Sequence, residues 1–272
     1  MTIKKIQDID VANKKVLLRL DLDIPLSSSG EILDTTRLKA GLETLTYLLN
    51  HSAVVMIIGH LGRPKGEMKK EESLEPVAKW YEKELRITSL GSPLRGNCEL
   101  RMKEAKMEEF EGWELSEKLF LLENLRYYPG EEANDPDFSK KLAELADIYV
   151  DDAFAVSHRS ASSNVGITAF LPSYAGLQFQ KEIEGLGKIM TDPKRPLIVI
   201  VGGAKLETKL PLVSKMHHFA DFVLVGGKLV QETKDILLMQ HEQLPPSPSG
   251  QKSVLLVADP SQTGFDITQN SV

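Results

Sequence analysis

The chain has 272 residues and a formal net charge of −6 at pH 7, with 42% hydrophobic and 26% charged residues. This composition is typical of globular proteins and excludes wholesale disorder, and the mild acidity disfavours a dedicated nucleic-acid binder. The single cysteine, Cys98, excludes an intrachain disulfide and a cysteine metal cluster. No stretch approaches the roughly 18 apolar residues of a membrane span, and the N-terminus lacks the apolar region of a signal peptide. We therefore expect a soluble, cytoplasmic protein.

Seven short apolar runs, rich in Val, Ile and Leu, predict β-strands that are covered on both faces. They occupy residues 15–22, 54–60, 118–124, 148–154, 197–203, 222–227 and 253–259. Amphipathic stretches between them predict helices at residues 36–52, 73–85 and 138–146. The alternation indicates an α/β fold with two doubly wound parallel-sheet domains, the second of which is incomplete.

A break at Leu-Pro-Ser-Tyr-Ala-Gly, followed by one more helical stretch and two prolines, marks a domain boundary. We expect a first domain over residues 1–175, an interdomain helix and hinge over 176–196, and a partial second domain over 197–272. The charge-dense segment 94–118 is typical of a solvated excursion. The Pro/Ser-rich segment 241–253 is typical of a mobile loop.

The second domain has three apolar strands and few helical stretches to cover them. About 60 residues is already marginal for an independent hydrophobic core, and an uncovered sheet face or edge pairs readily with another chain. We therefore expect this domain to be partly disordered or to bury its exposed face in a homodimer.

Basic side chains follow the predicted strands at or just after their carboxyl ends. In parallel sheets these ends meet at one rim, where ligands bind. Guanidinium groups bind phosphate and carboxylate through paired, charge-assisted hydrogen bonds, so the arrangement predicts a site for a small polyanionic substrate. The residues concerned are Arg37, His60, Arg63, Arg126 and Arg159.

A second candidate site follows the fifth predicted strand, where glycines and lysines open a helix. Glycines let backbone amides approach a phosphate, and lysines add point charges. Neither a P-loop nor a dinucleotide fingerprint is present. The residues are Gly202, Gly203, Lys205 and Lys209, with Gly226 and Gly227 repeating the glycine turn after the next strand.

The motifs R-L-D-L-D-I-P, G-H-L-G-R-P-K-G, L-L-E-N-L-R-Y-Y-P-G-E-E and V-D-D-A-F are followed in order by G-G-A-K-L-E-T-K and V-G-G. This series, from about Val16 to Asp266, resembles the phosphoglycerate kinase family. Members have two α/β domains, the first binding 3-phosphoglycerate and the second the nucleotide. The resemblance implies reversible phosphoryl transfer between 1,3-bisphosphoglycerate and ADP, with Mg²⁺, in glycolysis.

The resemblance also implies roles for individual residues. Those expected to contact 3-phosphoglycerate are Asp21, Asp23, Arg37, His60, Arg63, Arg126 and Arg159. Lys205 and Lys209 are expected to serve the nucleotide phosphates, and Arg37 is expected to meet the transferring charge from the substrate side. The implied cofactor is ATP or ADP with Mg²⁺, for which no metal ligand is identified in this chain. The glycines expected beside it are Gly202, Gly203, Gly226 and Gly227.

Four positions depart from the family pattern. Asp23 stands where the family has asparagine, and we expect weaker substrate binding because an ionised carboxylate repels an anion and cannot donate to it. Asp151 adds a second negative charge, Tyr127 replaces phenylalanine, and Lys228 replaces a glycine. The family's later G-G-G-D-T segment, whose aspartate serves magnesium nucleotide, has no counterpart before Val272.

Three functions fit these observations. The first is a shortened phosphoglycerate kinase, the second a phosphoglycerate-binding protein of the same descent without turnover, and the third a subunit completed by another chain. The intact arginine set favours the first two, whereas the absent magnesium segment favours the last two. The kinase activity of the family is our working hypothesis.

Overall fold

The structure, a computed structural model, divides into two compact units, Met1–Gly185 and Leu186–Val272. This division falls inside the segment in which the sequence predicts the interdomain helix and hinge. The residues that the structure describes are 3–89, 101–202, 211–212, 215–216, 219–226 and 254–256.

The first unit contains one seven-stranded sheet. Its strands are β1 (Lys15–Arg19), β2 (Val54–Ile58), β3 (Lys103–Met107), β4 (Phe110–Ser116), β5 (Leu119–Leu122), β6 (Ile148–Asp151) and β7 (Ser173–Ala175). They lie in the order β3-β4-β5-β2-β1-β6-β7. Neighbours are parallel except for the antiparallel pairs β3–β4 and β4–β5. The sheet is therefore parallel at its centre and mixed at one edge.

The central strands are apolar throughout because both faces of the sheet are covered. In β1, Val16 and Leu18 belong to one hydrophobic cluster, whereas Leu17 belongs to another that also contains Met56 and Tyr149. Successive side chains of a strand point to opposite faces, so β1 contributes to a core on each side. This explains the near-absence of polar alternation in the sequence.

Five helices have defined bounds: α1 (Thr36–Asn50), α2 (Glu75–Ser89), α3 (Pro129–Ala133), α4 (Pro136–Ala143) and α5 (Leu177–Thr191). In α1 the buried residues include Leu38, Leu45 and Leu48, at the spacing expected of one helix face. Asp135 caps α4 by accepting a hydrogen bond from Phe138 N at 2.8 Å. Among the described residues, no helix has the length and apolar character that crossing a membrane requires.

The interpretation of segment 94–118 as a solvated excursion is wrong for its described part. From residue 101 onward it forms the antiparallel strands β3 and β4, and Phe110 and Trp113 are buried. β3 shows no apolar pattern in the sequence because it carries the exposed charged residues Lys103, Glu104 and Lys106. The expectation of a purely parallel sheet is therefore wrong at this edge, while the α/β class is confirmed.

The N-terminal segment pairs with the last strand of the same sheet. Lys5 forms an isolated parallel bridge with Ala175, whose N–H donates to Lys4 O at 2.8 Å. Side-chain amides of Gln7 and Gln180 are hydrogen-bonded to each other. Residues from the two ends of the first unit thus lie side by side.

The described part of the second unit is a three-stranded parallel sheet. Its strands are β8 (Ile198–Val201), β9 (Phe222–Val225) and β10 (Val254–Leu256), in the order β10-β9-β8. A small cluster on one face contains Val201, Val223 and Val225. Ile198 and Ile200, which alternate with that face, are 52% and 67% exposed.

Candidate functional site

Four adjacent parallel strands, β5, β2, β1 and β6, bring their carboxyl ends to one side of the first unit's sheet. The segments that follow them carry most of the predicted substrate-site residues. Asp21 and Asp23 follow β1, His60 follows β2, Arg126 follows β5 and Arg159 follows β6. The topology therefore places side chains that are far apart in sequence at one rim.

Arg37, in the first turn of α1, lies against the segment after β1. Its Nη1 donates to Asp23 O at 2.8 Å and lies 3.3 Å from Asp21 Oδ1. Burial raises the pKa of Asp21, and the positive charge of Arg37 opposes this shift. The Arg37 side chain remains about half exposed, so its guanidinium is oriented by the chain and still open to a ligand.

His60 is buried and electrically neutral at pH 7. Burial, reinforced by the charges of Arg126 and Arg19, lowers its pKa to about 3. Asp23 Oδ2 lies 3.9 Å from His60 Nε2, and this contact is not an ion pair because the ring carries no charge. The other Asp23 oxygen, Oδ1, accepts a hydrogen bond from Gly62 N at 2.9 Å.

The G-H-L-G-R-P loop needs glycine at its second glycine position. Gly62 has φ +63°, and a Cβ there would lie 2.3 Å from Glu72 Oε1. The same Glu72 oxygen accepts a hydrogen bond from Arg63 N at 2.8 Å. The loop therefore fixes the Arg63 backbone beside Gly62, while the Arg63 side chain is exposed.

Asn124 joins the loops after β2 and β5. Its fully buried side chain donates to Leu61 O at 2.7 Å and to Glu72 O at 2.8 Å, and its Oδ1 accepts a hydrogen bond from Arg126 N at 3.1 Å. Arg126 Nη1 then donates to Gly62 O at 2.6 Å. This network holds the Arg126 guanidinium at the rim, and the sequence analysis gave Asn124 no role.

Beside Arg126 lies a cavity of about 230 Å³. Its lining residues are Arg19, Arg126, Arg159, Glu131, Glu132, Ser160 and Ala161. Among the described residues, Arg19 Nη1 and Arg159 Nε are buried without a hydrogen-bond partner. An unsatisfied buried donor costs about 1–3 kcal/mol, so two of the three arginines that line the cavity keep hydrogen-bonding capacity that no described protein group uses. The geometry and charge therefore suit a phosphate-sized anion.

Arg19 lines this cavity, and the sequence analysis gave it no role in the site. Only 2% of it is exposed, although it ends a strand whose other residues are mostly apolar. A charged residue inside such a run needs buried partners, and this was the available signal. The partners themselves lie more than a hundred residues away and could not be named from the sequence.

Asp151, the last residue of β6, is partly buried, and Asp152, the next residue, is buried. Burial raises the pKa of Asp151, and the charge of Arg19 opposes the shift. Asp152 is 4% exposed, and its Oδ1 accepts a hydrogen bond from Phe179 N, in the first turn of α5, at 2.9 Å. Burial raises the pKa of Asp152 to about 6. A Cβ at Gly176 would lie 2.3 Å from the same Asp152 oxygen.

Only two of the residues predicted for the nucleotide side are described. Gly202 follows β8, and a Cβ there would meet no atom of the described residues within 4 Å. Gly226 follows β9 and is buried. Lying outside the described residues are Gly203, Lys205, Lys209, Gly227 and Lys228. Within the described ranges no group of three or more His, Cys, Asp or Glu side chains could hold a metal ion, so no Mg²⁺ ligand is assigned.

Comparison with known proteins shows the family to which the chain belongs. The family model described as phosphoglycerate kinase matches residues 6–237. The chain belongs to the phosphoglycerate kinase family. Phosphoglycerate kinases of Moorella thermoacetica and Desulforudis audaxviator are 42% and 40% identical to it over 224 and 227 residues. These matches cover 82% and 84% of this chain but 54% and 56% of the relatives, so the chain spans about half the length of the curated relatives it matches.

Solved phosphoglycerate kinases have the same fold. The enzyme from Coxiella burnetii has a TM-score of 0.73 and 28% identity, with 94% of this chain and 66% of that chain covered. The enzyme from Pyrococcus horikoshii has a TM-score of 0.66 and 27% identity, with 89% and 64% covered. The family and the fold class inferred from the sequence motifs are thereby confirmed.

Proposed function

We propose that this protein acts as a phosphoglycerate kinase in glycolysis, in the cytoplasm, and that its first unit binds 3-phosphoglycerate. The reaction is the reversible transfer of a phosphoryl group between 1,3-bisphosphoglycerate and ADP. The observation that carries the proposal is the cavity lined by three guanidinium groups, two of which retain unpaired buried donors. Membership of the phosphoglycerate kinase family supports the identity of the anion.

The two ends of 3-phosphoglycerate match two parts of the site. The cavity beside Arg126 and Arg159 suits the doubly charged phosphate, because guanidinium groups bind phosphate through paired hydrogen bonds. Arg37 and neutral His60 lie beside the aspartates after β1 and suit the carboxylate end. Arg63, exposed next to Gly62, is free of the tight packing around the other arginines and adds a charge at the mouth of the site.

The proposed chemistry needs positioning and charge neutralisation more than proton transfer. In the direction of ATP consumption the attacking oxygen belongs to a carboxylate that is already ionised, so no general base is required. His60, neutral because of its pKa of about 3, can orient the carboxylate by a hydrogen bond without exchanging a proton. Arg37 neutralises the charge that develops on the transferring group.

The nucleotide side of the reaction is proposed from the family motifs. Lys205 and Lys209 would neutralise the nucleotide phosphates, with Lys209 following the transferring group. Mg²⁺ bound with ATP or ADP would supply additional neutralisation. The backbone positions proposed to approach the phosphates are Gly202, Gly203, Gly226 and Gly227.

Calorimetric titration of the full chain with 3-phosphoglycerate tests the proposal. We expect binding that weakens as salt is added. Arg63→Ala should make binding less favourable by about 1.5–3 kcal/mol, the value of a lost hydrogen bond to a charged group. Arg101→Ala is the matched control, because Arg101 is also exposed but precedes β3 at the far edge of the sheet. No binding at millimolar ligand would refute the proposal. A coupled assay with ADP then separates turnover from binding alone.

A further inference from the structure

A buried chain of polar contacts leads from the substrate site into the first unit. Arg19 Nε donates to Ser163 Oγ at 2.8 Å, and Ser163 Oγ donates to Glu131 Oε1 at 2.5 Å. The other Glu131 oxygen accepts a hydrogen bond from Ser163 N at 3.0 Å. Arg19 and Glu131 are each 2% exposed, and Ser163 is fully buried. Arg19 ends β1, Glu131 belongs to α3, and Ser163 lies between β6 and β7.

This cluster is only partly satisfied. Burying a charge is costly unless it is paired and fully hydrogen-bonded, yet Arg19 Nη1 has no partner among the described residues. Arg19 also lines the cavity that contains Arg126 and Arg159. A cluster that served packing alone would be expected to use every donor of its guanidinium group. The unpaired donor instead belongs to a side chain that forms part of the cavity wall.

Ser163 is held firmly enough to orient Arg19. Its carbonyl oxygen accepts a hydrogen bond from Tyr149 OH at 2.7 Å, in addition to its two contacts with Glu131. Glu131 follows Arg126 by only five residues. One short segment therefore carries Arg126, which lines the cavity, and Glu131, which contacts Arg19 through Ser163. The orientation of two guanidinium groups is thereby linked.

The negative charge of Glu131 also has an electrostatic consequence. Three guanidinium groups around one small cavity repel each other strongly in a low-dielectric environment. Glu131 lines the same cavity and compensates for part of this positive charge. The arginines can therefore stay close together before an anion arrives.

We propose that Ser163 and Glu131 are positioning residues of the substrate site, which hold the Arg19 guanidinium in the wall of the cavity where the phosphate of 3-phosphoglycerate binds beside Arg126 and Arg159. This inference rests on the proposed function. Support behind a binding group raises affinity because the geometry is fixed before the ligand binds.

A double-mutant cycle on the full chain tests this proposal, with 3-phosphoglycerate affinity measured by calorimetry. Ser163→Ala should weaken binding about tenfold, within the coupling range of residues in contact. Arg19→Met should weaken binding at least as much. Because Ser163 acts through Arg19, the double variant should bind no more weakly than Arg19→Met alone.

Ser162→Ala is the matched control. Ser162 is the neighbouring residue, equally buried, and its Oγ donates to Gly130 O at 2.8 Å rather than contacting Arg19. We expect this variant to lose stability without losing affinity for 3-phosphoglycerate. A general loosening of the segment would weaken binding in both serine variants and would overturn the proposal.

The outcomes separate this inference from the proposed function. If the unmodified chain does not bind 3-phosphoglycerate, the proposed function fails. If it binds, but Ser163→Ala stays within about twofold or its loss adds to that of Arg19→Met, the positioning role fails and the function stands. Should Ser163→Ala not fold, the arginine Nε–H resonances of the unmodified chain decide. The Arg19 signal, assigned from its loss in Arg19→Met, must shift when 3-phosphoglycerate is added, and no shift contradicts the proposal.

Discussion

The two units place charged and apolar side chains in opposite ways. In the first unit the charged residues Arg19, Glu131 and Asp152 are at most 4% exposed, and the sheet is covered on both faces. In the second unit Ile198 and Ile200 are more than half exposed on β8, at one edge of the three strands that the structure describes there. Incompletely paired buried charge is typical of a site for a charged ligand, whereas exposed hydrocarbon is typical of a surface that another protein surface covers. The predictions below test the two halves of this contrast.

The largest expected effect concerns the buried charge of Asp152. Its pKa of about 6 lies above the usual 3.8, so the folded state holds its proton more tightly than the unfolded state does. The stabilisation from this bound proton is fully present below pH 3.8 and is lost as the pH rises through 6. Asp152→Asn removes this titration. The stability of the variant relative to the unmodified chain should therefore rise by about 2 kcal/mol as the pH increases from 4 to 7.

Urea unfolding at the two pH values measures this difference. Both tryptophans, Trp80 and Trp113, lie in the first unit, so their fluorescence reports on the region that contains Asp152. The same stability difference at both pH values would show that burial does not raise the pKa of Asp152.

The next effect concerns the extra carboxylate at the rim. Asp23→Asn keeps the oxygen that accepts from Gly62 N, removes a negative charge, and adds a donor on the side that faces His60. We expect 3-phosphoglycerate to bind about tenfold more tightly, because like charges no longer oppose each other in the site. Calorimetry at two salt concentrations measures the change, and the gain should shrink at high salt. Weaker binding in the variant would show that the charge argument has the wrong sign.

The smallest effect concerns the exposed apolar residues of the second unit. If they mediate a homodimer, Ile200→Lys should weaken self-association about fivefold, since a partly buried isoleucine contributes about 1 kcal/mol. Light scattering over a concentration series measures the association. Leu33→Lys is the control, because Leu33 is 66% exposed but belongs to the first unit. A monomer at every concentration would contradict the prediction.

Much of the fold could be predicted from the sequence because hydrophobic period and strand coverage are local signals. The apolar runs at β1, β2, β5 and β6 and the amphipathic pattern of α1 each gave the correct element. β3 was missed because its charged residues lie exposed at the edge of the sheet. β4 is mostly buried and was missed because Glu111 and Glu114 interrupt its apolar residues. β7, with three residues, is too short to show any period.

The site was predictable only where a motif carries it. His60 and Arg126 fall directly after strands, so the topology alone predicts their approach. The contact between Arg19 and Ser163 could not be predicted, because it joins positions 144 residues apart whose types are common elsewhere in the chain. Asn124 was likewise visible in a motif, but its role as a link between two loops depends on their separation in space.

The pairing of the N-terminal segment with β7 has a consequence for how the protein is made. The backbone of Lys4 and Lys5 pairs with the sheet at Ala175, and β1, near the start of the chain, lies inside the sheet between β2 and β6. During synthesis the first residues therefore cannot complete their pairing until almost the whole first unit has left the ribosome. Long-range pairing of this kind slows folding and prolongs the exposure of apolar strands. Incomplete chains therefore expose apolar strand surface, a condition that favours aggregation.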